Sequence, residues 1–244
     1  YEQDYLSQSD ETEHAKWFAK KINSKHFEKK LTIDEFLDFL PKMIRLQDEP
    51  IADPVCFPLY FLSELSKNNG VTVCQVGEGA DELLWGYPIW KTKLRLQQLN
   101  NIKGFSIFKK IGLKSLESFG KNDKHYYEWL RRGYNDLPIF WGGSEGLNEN
   151  RKIAVLSKSM NAEVSNYTSW ESIQPIYDRY IMNGGSSNNG LSWMSYLDLN
   201  LRLPELLLMR VDKMSMGVSL ESRVPFLDHK FVELVMGIPN RLKT

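Results

Sequence analysis

Seven consecutive residues, Val76-Gly77-Glu78-Gly79-Ala80-Asp81-Glu82, put three carboxylates and two glycines into one short stretch. They follow Val71-Thr72-Val73-Cys74-Gln75-Val76, a run rich in β-branched residues between Gly70 and Gly77, and the acids open a helical pattern. In open α/β sheets, helix N-termini and backbone N–H groups at the carboxyl ends of strands receive anions. Glycine lets the backbone come close to such a ligand. Three carboxylates without a lysine do not suit a bare phosphate. They suit a polyphosphate with a hard divalent cation in between, because Mg²⁺ takes one or two carboxylates plus phosphate oxygens. The chemistry is that of a nucleotide·Mg²⁺ loop. On spacing alone a plainer reading stands beside it: Asp81 and Glu82 are favourable first-turn acids, and the glycines only make a turn.

The elements that must hold this turn follow from periodicity. Residues 11–25 carry Ala15, Phe18, Ala19 and Ile22 at helical spacing, and His26–Leu31 is short enough to be a strand. Thr32 and Glu35 have capping-box spacing ahead of an apolar stripe of Phe36, Leu37, Leu40, Met43 and Ile44. A proline-marked loop at 48–54 leads to a helix with Pro58 in its first turn and Gly70 as its stop. The run 71–76 is predicted as a strand buried on both faces, as in a parallel sheet. Beyond Tyr87 the pattern is mainly helical to residue 180, interrupted at Gly142-Gly143, with no second strong strand. Residues 183–190 are predicted as a loop, a lid or a plain connection. Leu191–Arg210 is a leucine-rich helix that Pro204 should kink or break, and Asp228 caps a last helix ending near Gly237. Residues 1–87 therefore read as an α/β nucleotide-binding part and residues 88–244 as a mainly helical part.

Composition removes several classes. Across 244 residues, Lys+Arg 31 balances Asp+Glu 31, and 42% of residues are hydrophobic, which excludes a disordered or collagen-like chain. Neutrality gives no global argument for nucleic acid or an anionic membrane, and no apolar run is long enough to span a bilayer. Cys56 and Cys74 lie in apolar surroundings, against a disulfide scaffold. The expected setting is soluble and cytoplasmic.

Three separated stretches agree with one family in order and spacing. Gly77-Glu78-Gly79-Ala80-Asp81-Glu82-Leu83-Leu84-Trp85-Gly86-Tyr87 resembles the G-(D/E)-G-(A/S)-D-E-L-F-G-G-Y segment of the asparagine synthetase family. Asp48-Glu49-Pro50-Ile51-Ala52-Asp53-Pro54 resembles its D-E-P-x-x-D-P loop. Asp212-Lys213-Met214-Ser215-Met216 through Glu221-Ser222-Arg223-Val224-Pro225-Phe226-Leu227-Asp228 resembles its D-(R/K)-x-S-M and E-x-R-x-P-F-L-D block. The resemblance implies part of a Rossmann-like adenine-nucleotide α-hydrolase, or ATP-pyrophosphatase, domain. Such a domain adenylates a carboxylate with Mg·ATP and lets ammonia attack the acyl adenylate to form an amide. It implies that Val76, Gly77 and Gly79 border ATP, that Asp81 holds Mg²⁺, and that Glu78 manages the proton of the attacking amine. Charge developing at phosphorus needs cations. Arg210, Lys213 and Arg223 are possible sources, with Arg210 the one placed near the site and Arg223 the one given a loop-holding role.

Departures from the family pattern set further expectations. Val76 stands where the family loop has serine, so a side-chain hydroxyl contact is lost, and Trp85 stands where Phe or Gly is usual. The family's S-G-G-x-D-S-S pyrophosphate loop is missing and is expected upstream. A lysine after the P-F-L-D block and an amino-terminal glutaminase domain are expected outside the chain, so the polypeptide alone is expected to be inactive. The partners implied are ATP, aspartate or a related acid, ammonia from a glutaminase domain or partner, and a possible second copy. Two alternatives are amidation of a sugar acid and a non-catalytic scaffold. The four histidines lack metal-ligand spacing. Trp129, Tyr134, Phe140 and Trp141 read as helix-packing aromatics beside a solvated Arg131-Arg132 pair.

Overall fold

The computed structural model describes residues 11–49, 51, 53–102, 104–143, 145–186, 190–239 and 242–243. Pro50 and Ala52 of the proline-marked loop and residues 187–189 of the glycine-rich loop lie outside them. The chain divides into two compact units, Tyr1–Cys74 with Val211–Glu221, and Gln75–Arg210 with Ser222–Thr244.

In the first unit, α1 (Glu11–Lys21), α2 (Ile33–Gln47) and α3 (Cys56–Asn68) come in order. Thr32 and Glu35 form the capping box: Thr32 Oγ1 accepts from the Glu35 N–H at 3.2 Å, and Glu35 Oε2 accepts from the Thr32 N–H at 2.9 Å. The buried line of α2 is Phe39, Met43 and Gln47, whereas Leu37 and Ile44 of the expected stripe are exposed. The difference comes from α3, which presents Tyr60 and Phe61 to Phe39 with ring centroids 4.2 and 5.3 Å away. These residues make a core with Cys56 and Met214. Gln47 Nε2 donates to Cys56 Sγ at 2.9 Å. Among the described residues of α1 Ala19 is the one that is buried, and Phe18 and Ile22 are exposed. Residues 26–31 are not a strand. His26 and Lys16 both meet Glu28, at 2.8 and 3.1 Å, which draws the segment toward α1.

The sheet has two short parallel strands, β1 (Val73–Gln75) and β2 (Glu221–Arg223). Glu221 N–H donates to Thr72 O at 3.0 Å and Val76 N–H donates to Arg223 O at 2.9 Å. Two expectations fail here. β1 alternates exposed and half-buried residues rather than being buried on both faces, because a two-stranded sheet covers little of either face. β2 exists although its three residues carry no apolar signal. The whole is mostly helical with a small parallel sheet, compatible with the α/β class.

The second unit continues through α4 (Ala80–Leu84), α5 (Pro88–Asn100), α6 (Ser106–Ser118), α7 (His125–Tyr134), α8 (Glu149–Val155), α9 (Lys158–Glu163), α10 (Ser169–Met182) and α11 (Gly190–Asn200). After a turn at Leu201 the helix resumes at Arg202, is a π-helix over Leu203–Leu208, and passes into α12 (Met209–Met216). The break therefore falls at Leu201, three residues before Pro204, and Pro204 itself sits in the first turn of the π-helix rather than ending a helix. A 3₁₀ turn (Pro225–Leu227) leads to α13 (His229–Gly237), where Asp228 Oδ1 accepts from the Lys230 and Phe231 N–H groups. The core is aromatic: Trp85, Trp90, Phe140, Trp141, Tyr180 and Trp193 surround Met194 and Leu197 of α11. Phe140 and Trp141 pack inside, as expected. Arg132 is not solvated, however. It is 1% exposed, donates to Glu128 at 3.0 Å and to Glu145, and lies 3.8 Å from the Trp141 ring. A planar guanidinium can be buried this way when its donors are met by carboxylates and its face by an aromatic ring. None of the described helices is long and apolar enough to cross a membrane.

Candidate active site

The turn after β1 is built from backbone requirements. Gly79 ends the loop and caps α4 with φ +91°, a left-handed conformation that favours glycine. A Cβ there would lie 2.3 Å from Leu227 Cδ2. Two motif blocks far apart in the chain thus meet twice, at Gly79 with Leu227 and at Val76 with Arg223. Asp81 is exposed on the first turn of α4, and its Oδ1 occupies the space a Cβ at Gly86 would need, 1.9 Å away. The glycine keeps that carboxylate in place. Gly77 is exposed beside it. In the first unit, Asp48 of the proline-marked loop accepts from Lys213 Nζ at 2.6 Å, which joins the remaining motif pair.

Behind the turn lies a buried polar cluster. Glu82 is 1% exposed, and its Oε1 accepts from Tyr87 OH at 2.6 Å. Its backbone carbonyl accepts from Ser195 Oγ at 2.7 Å, and Ser195 Oγ in turn accepts from Trp85 Nε1 at 2.8 Å. Trp85 itself has φ +60° and is buried, so the family departure at this position fills the core between α4 and α11. Arg202 Nη1 stands 4.0 Å from Glu82 Oε1 and 3.5 Å from Asp198 Oδ2, with its guanidinium 4.8 Å from the Tyr87 ring centre. Asp198 Oδ1 accepts from the Gly143 N–H at 3.0 Å. A Cβ at Gly143 would be 2.6 Å from Arg202 Nη1, which accounts for that glycine, while its neighbour Gly142 has φ +117°.

The electrostatics follow from this burial. Glu78 is half-buried, and burial raises its carboxyl above the ordinary range; Arg210 and then Arg202 oppose the rise, while Glu82 and Asp81 add to it. Burial also pushes Asp198 up to about 6, against Arg202 and the Gly143 N–H. The Tyr87 hydroxyl is raised by burial and by its hydrogen bond to Glu82. The structure therefore brings Arg210 into electrostatic reach of Glu78, with Val76, Gly77, Gly79 and Asp81 in the same turn. Lys213 is engaged by Asp48. The sequence reading missed Arg202, Asp198 and the role of Tyr87. Asp198 and Arg202 are the lone charges of the run Ser195–Pro204, four residues apart, and that spacing was the available signal.

Asp81, exposed at the strand end beside a half-buried carboxylate, suits a cation shared with phosphates. Mg²⁺ bound in that way needs only one or two protein carboxylates. Among the described residues no three metal-binding side chains cluster, so the turn is not an all-protein cage.

A carboxylate turn at the end of a parallel strand, backed by a buried arginine–carboxylate cluster, defines a class of α/β ligand-binding site. The chain matches the family model described as Asparagine synthase over residues 2–244 and belongs to that family. It is 31% identical to asparagine synthetase [glutamine-hydrolyzing] 1 of Bacillus subtilis over 96% of this chain and 35% of the relative. It is 29% identical to a Mycobacterium bovis protein provisionally named asparagine synthetase [glutamine-hydrolyzing], over 91% of this chain and 32% of the relative. The chain spans about a third of the length of these relatives. No solved structure matches it.

Proposed function

We propose that this chain is part of an ATP-dependent carbon–nitrogen ligase that adenylates a carboxylate, aspartate or a related acid, and forms an amide with ammonia. The observation that carries the reading is the meeting of the carboxylate turn with the P-F-L-D block at Gly79 and Leu227, within a chain of the asparagine synthase family. The fold proposed for the site is the Rossmann-like nucleotide domain, with residues 1–87 as its nucleotide-binding part and 88–244 as its helical part. Val76, Gly77 and Gly79 offer backbone to the nucleotide. Asp81 would hold Mg²⁺, which supplies charge neutralisation at the phosphates when bound. Burial raises the Glu78 carboxyl, the direction expected of a group that accepts and returns a proton during the reaction. Arg210 supplies positive charge beside it. Relatives whose names include glutamine hydrolysis suggest ammonia from a glutaminase domain or partner, and a homodimer is compatible with the reading.

The test is Mg²⁺-dependent ATP–pyrophosphate exchange, measured on this chain and on a longer protein that contains it. The chain alone should show none. In the longer protein Glu78→Gln should lower turnover ~10²–10⁴-fold. Asp81→Asn should weaken Mg·ATP binding at least about tenfold, and chelating the metal should abolish exchange. If both variants keep the parent affinity for Mg·ATP, the nucleotide assignment of this turn is wrong.

A further inference from the structure

We propose that Arg202 is a positioning residue: clamped between Asp198 and the Tyr87 ring, it holds Glu82 from behind and so fixes the turn that carries Glu78. Its importance for the reaction rests on the reading of Glu78 given above; the positioning itself does not.

The argument is geometric. Glu82 is fully buried, and a buried carboxylate is held only where donors or cations meet it. Tyr87 OH at 2.6 Å meets one oxygen, and Arg202 stands 4.0 Å from the same oxygen. Arg202 cannot swing away, because Asp198 lies 3.5 Å from Nη1, the Tyr87 ring covers its face and Gly143 closes the remaining side. Asp198 is itself fixed by the Gly143 N–H. Glu82 belongs to the five-residue helix α4, whose first residue follows Gly79 directly, so fixing Glu82 fixes the exit of the turn. So short a helix does not hold itself. Its orientation is set by its partners, and Arg202 is the cation among those named here.

Amide-resolved hydrogen exchange on this chain, without nucleotide, tests the proposal. Leu83 N–H, bonded to Gly79 O, and Gly86 N–H, bonded to Asp81 O, report the turn, while Asn183 and Gly185 N–H at the end of α10 report the rest of the unit. Arg202→Met should speed exchange of the two turn amides by about tenfold or more and leave the α10 amides within about threefold. Arg202→Lys should restore the turn amides to within about threefold of the parent. Unchanged turn amides in Arg202→Met overturn the proposal, and so does equal acceleration everywhere, which would mark a residue needed only for the fold. Should Arg202→Met not fold, Arg202→Gln decides. It keeps a polar side chain in the pocket but removes the charge and the reach to Glu82, and must loosen the same two amides; no change there also overturns the proposal. Because no ligand takes part, failure here is separate from failure of the Mg·ATP reading.

Discussion

At the level of single residues, the acids of the turn were visible in the sequence and their protonation was not. Glu78 and Asp81 stand out because glycines bracket them. Asp198 does not, because its raised pKa comes from burial against α4 and the Gly143 loop, both far from it in the sequence. Its consequence is testable. A carboxyl whose folded pKa is about 6 against an ordinary 3.8 binds its proton more tightly in the folded state. The unfolded chain releases that proton first as pH rises, so this group costs stability progressively between about pH 4 and pH 6, by roughly 3 kcal/mol at most. Asp198→Asn carries no such term. Urea unfolding should show the variant gaining on the parent by about 2–3 kcal/mol between pH 4 and pH 7, and a constant difference would refute the assignment. Gly79 makes a second case. Gly79→Ala meets both a left-handed backbone and the Leu227 side chain, and should cost about 2–4 kcal/mol. Adding Leu227→Ala should return part of the loss, a coupling of about 1 kcal/mol in a double-mutant cycle.

At the level of elements, what was legible is what is decided locally. The capping box at Thr32, the stop at Gly70 and the cap at Asp228 depend on residues within four positions of each other, and all three form as read. Asp228→Ala should lower stability by about 1 kcal/mol, seen as a lower unfolding midpoint, since two α13 N–H groups lose their acceptor. What was not legible is decided by distant partners. The buried line of α2 shifted to Phe39 because of rings on α3, and β2 forms only because β1 offers it a hydrogen-bonding edge. A three-residue strand such as Glu221-Ser222-Arg223 has no periodicity to detect.

At the level of the whole molecule, reading a chain in contiguous stretches finds a composition change at Tyr87, while the compact units are discontinuous. Val211–Glu221 belongs with the first 74 residues because Met214 completes their core and Lys213 reaches Asp48. Such returns rest on contacts more than 150 residues apart, which spacing cannot reveal. The π-helix at Leu203–Leu208 has an effect of the same long reach. Arg202 and Arg210 are eight positions apart, and in an unbroken α-helix they would diverge by roughly 80° after two turns. Bonds of the i→i+5 kind widen each turn and slow the rotation per residue, and six such residues cancel most of that excess. Both arginines act on Glu78. The azimuth of one cation relative to the other is thus stored in helical phase rather than in residue identity. Deleting a single leucine from this stretch, with composition almost untouched, would turn Arg202 relative to Arg210 by a little less than the ~100° of an α-helical residue and take it off the Tyr87 ring.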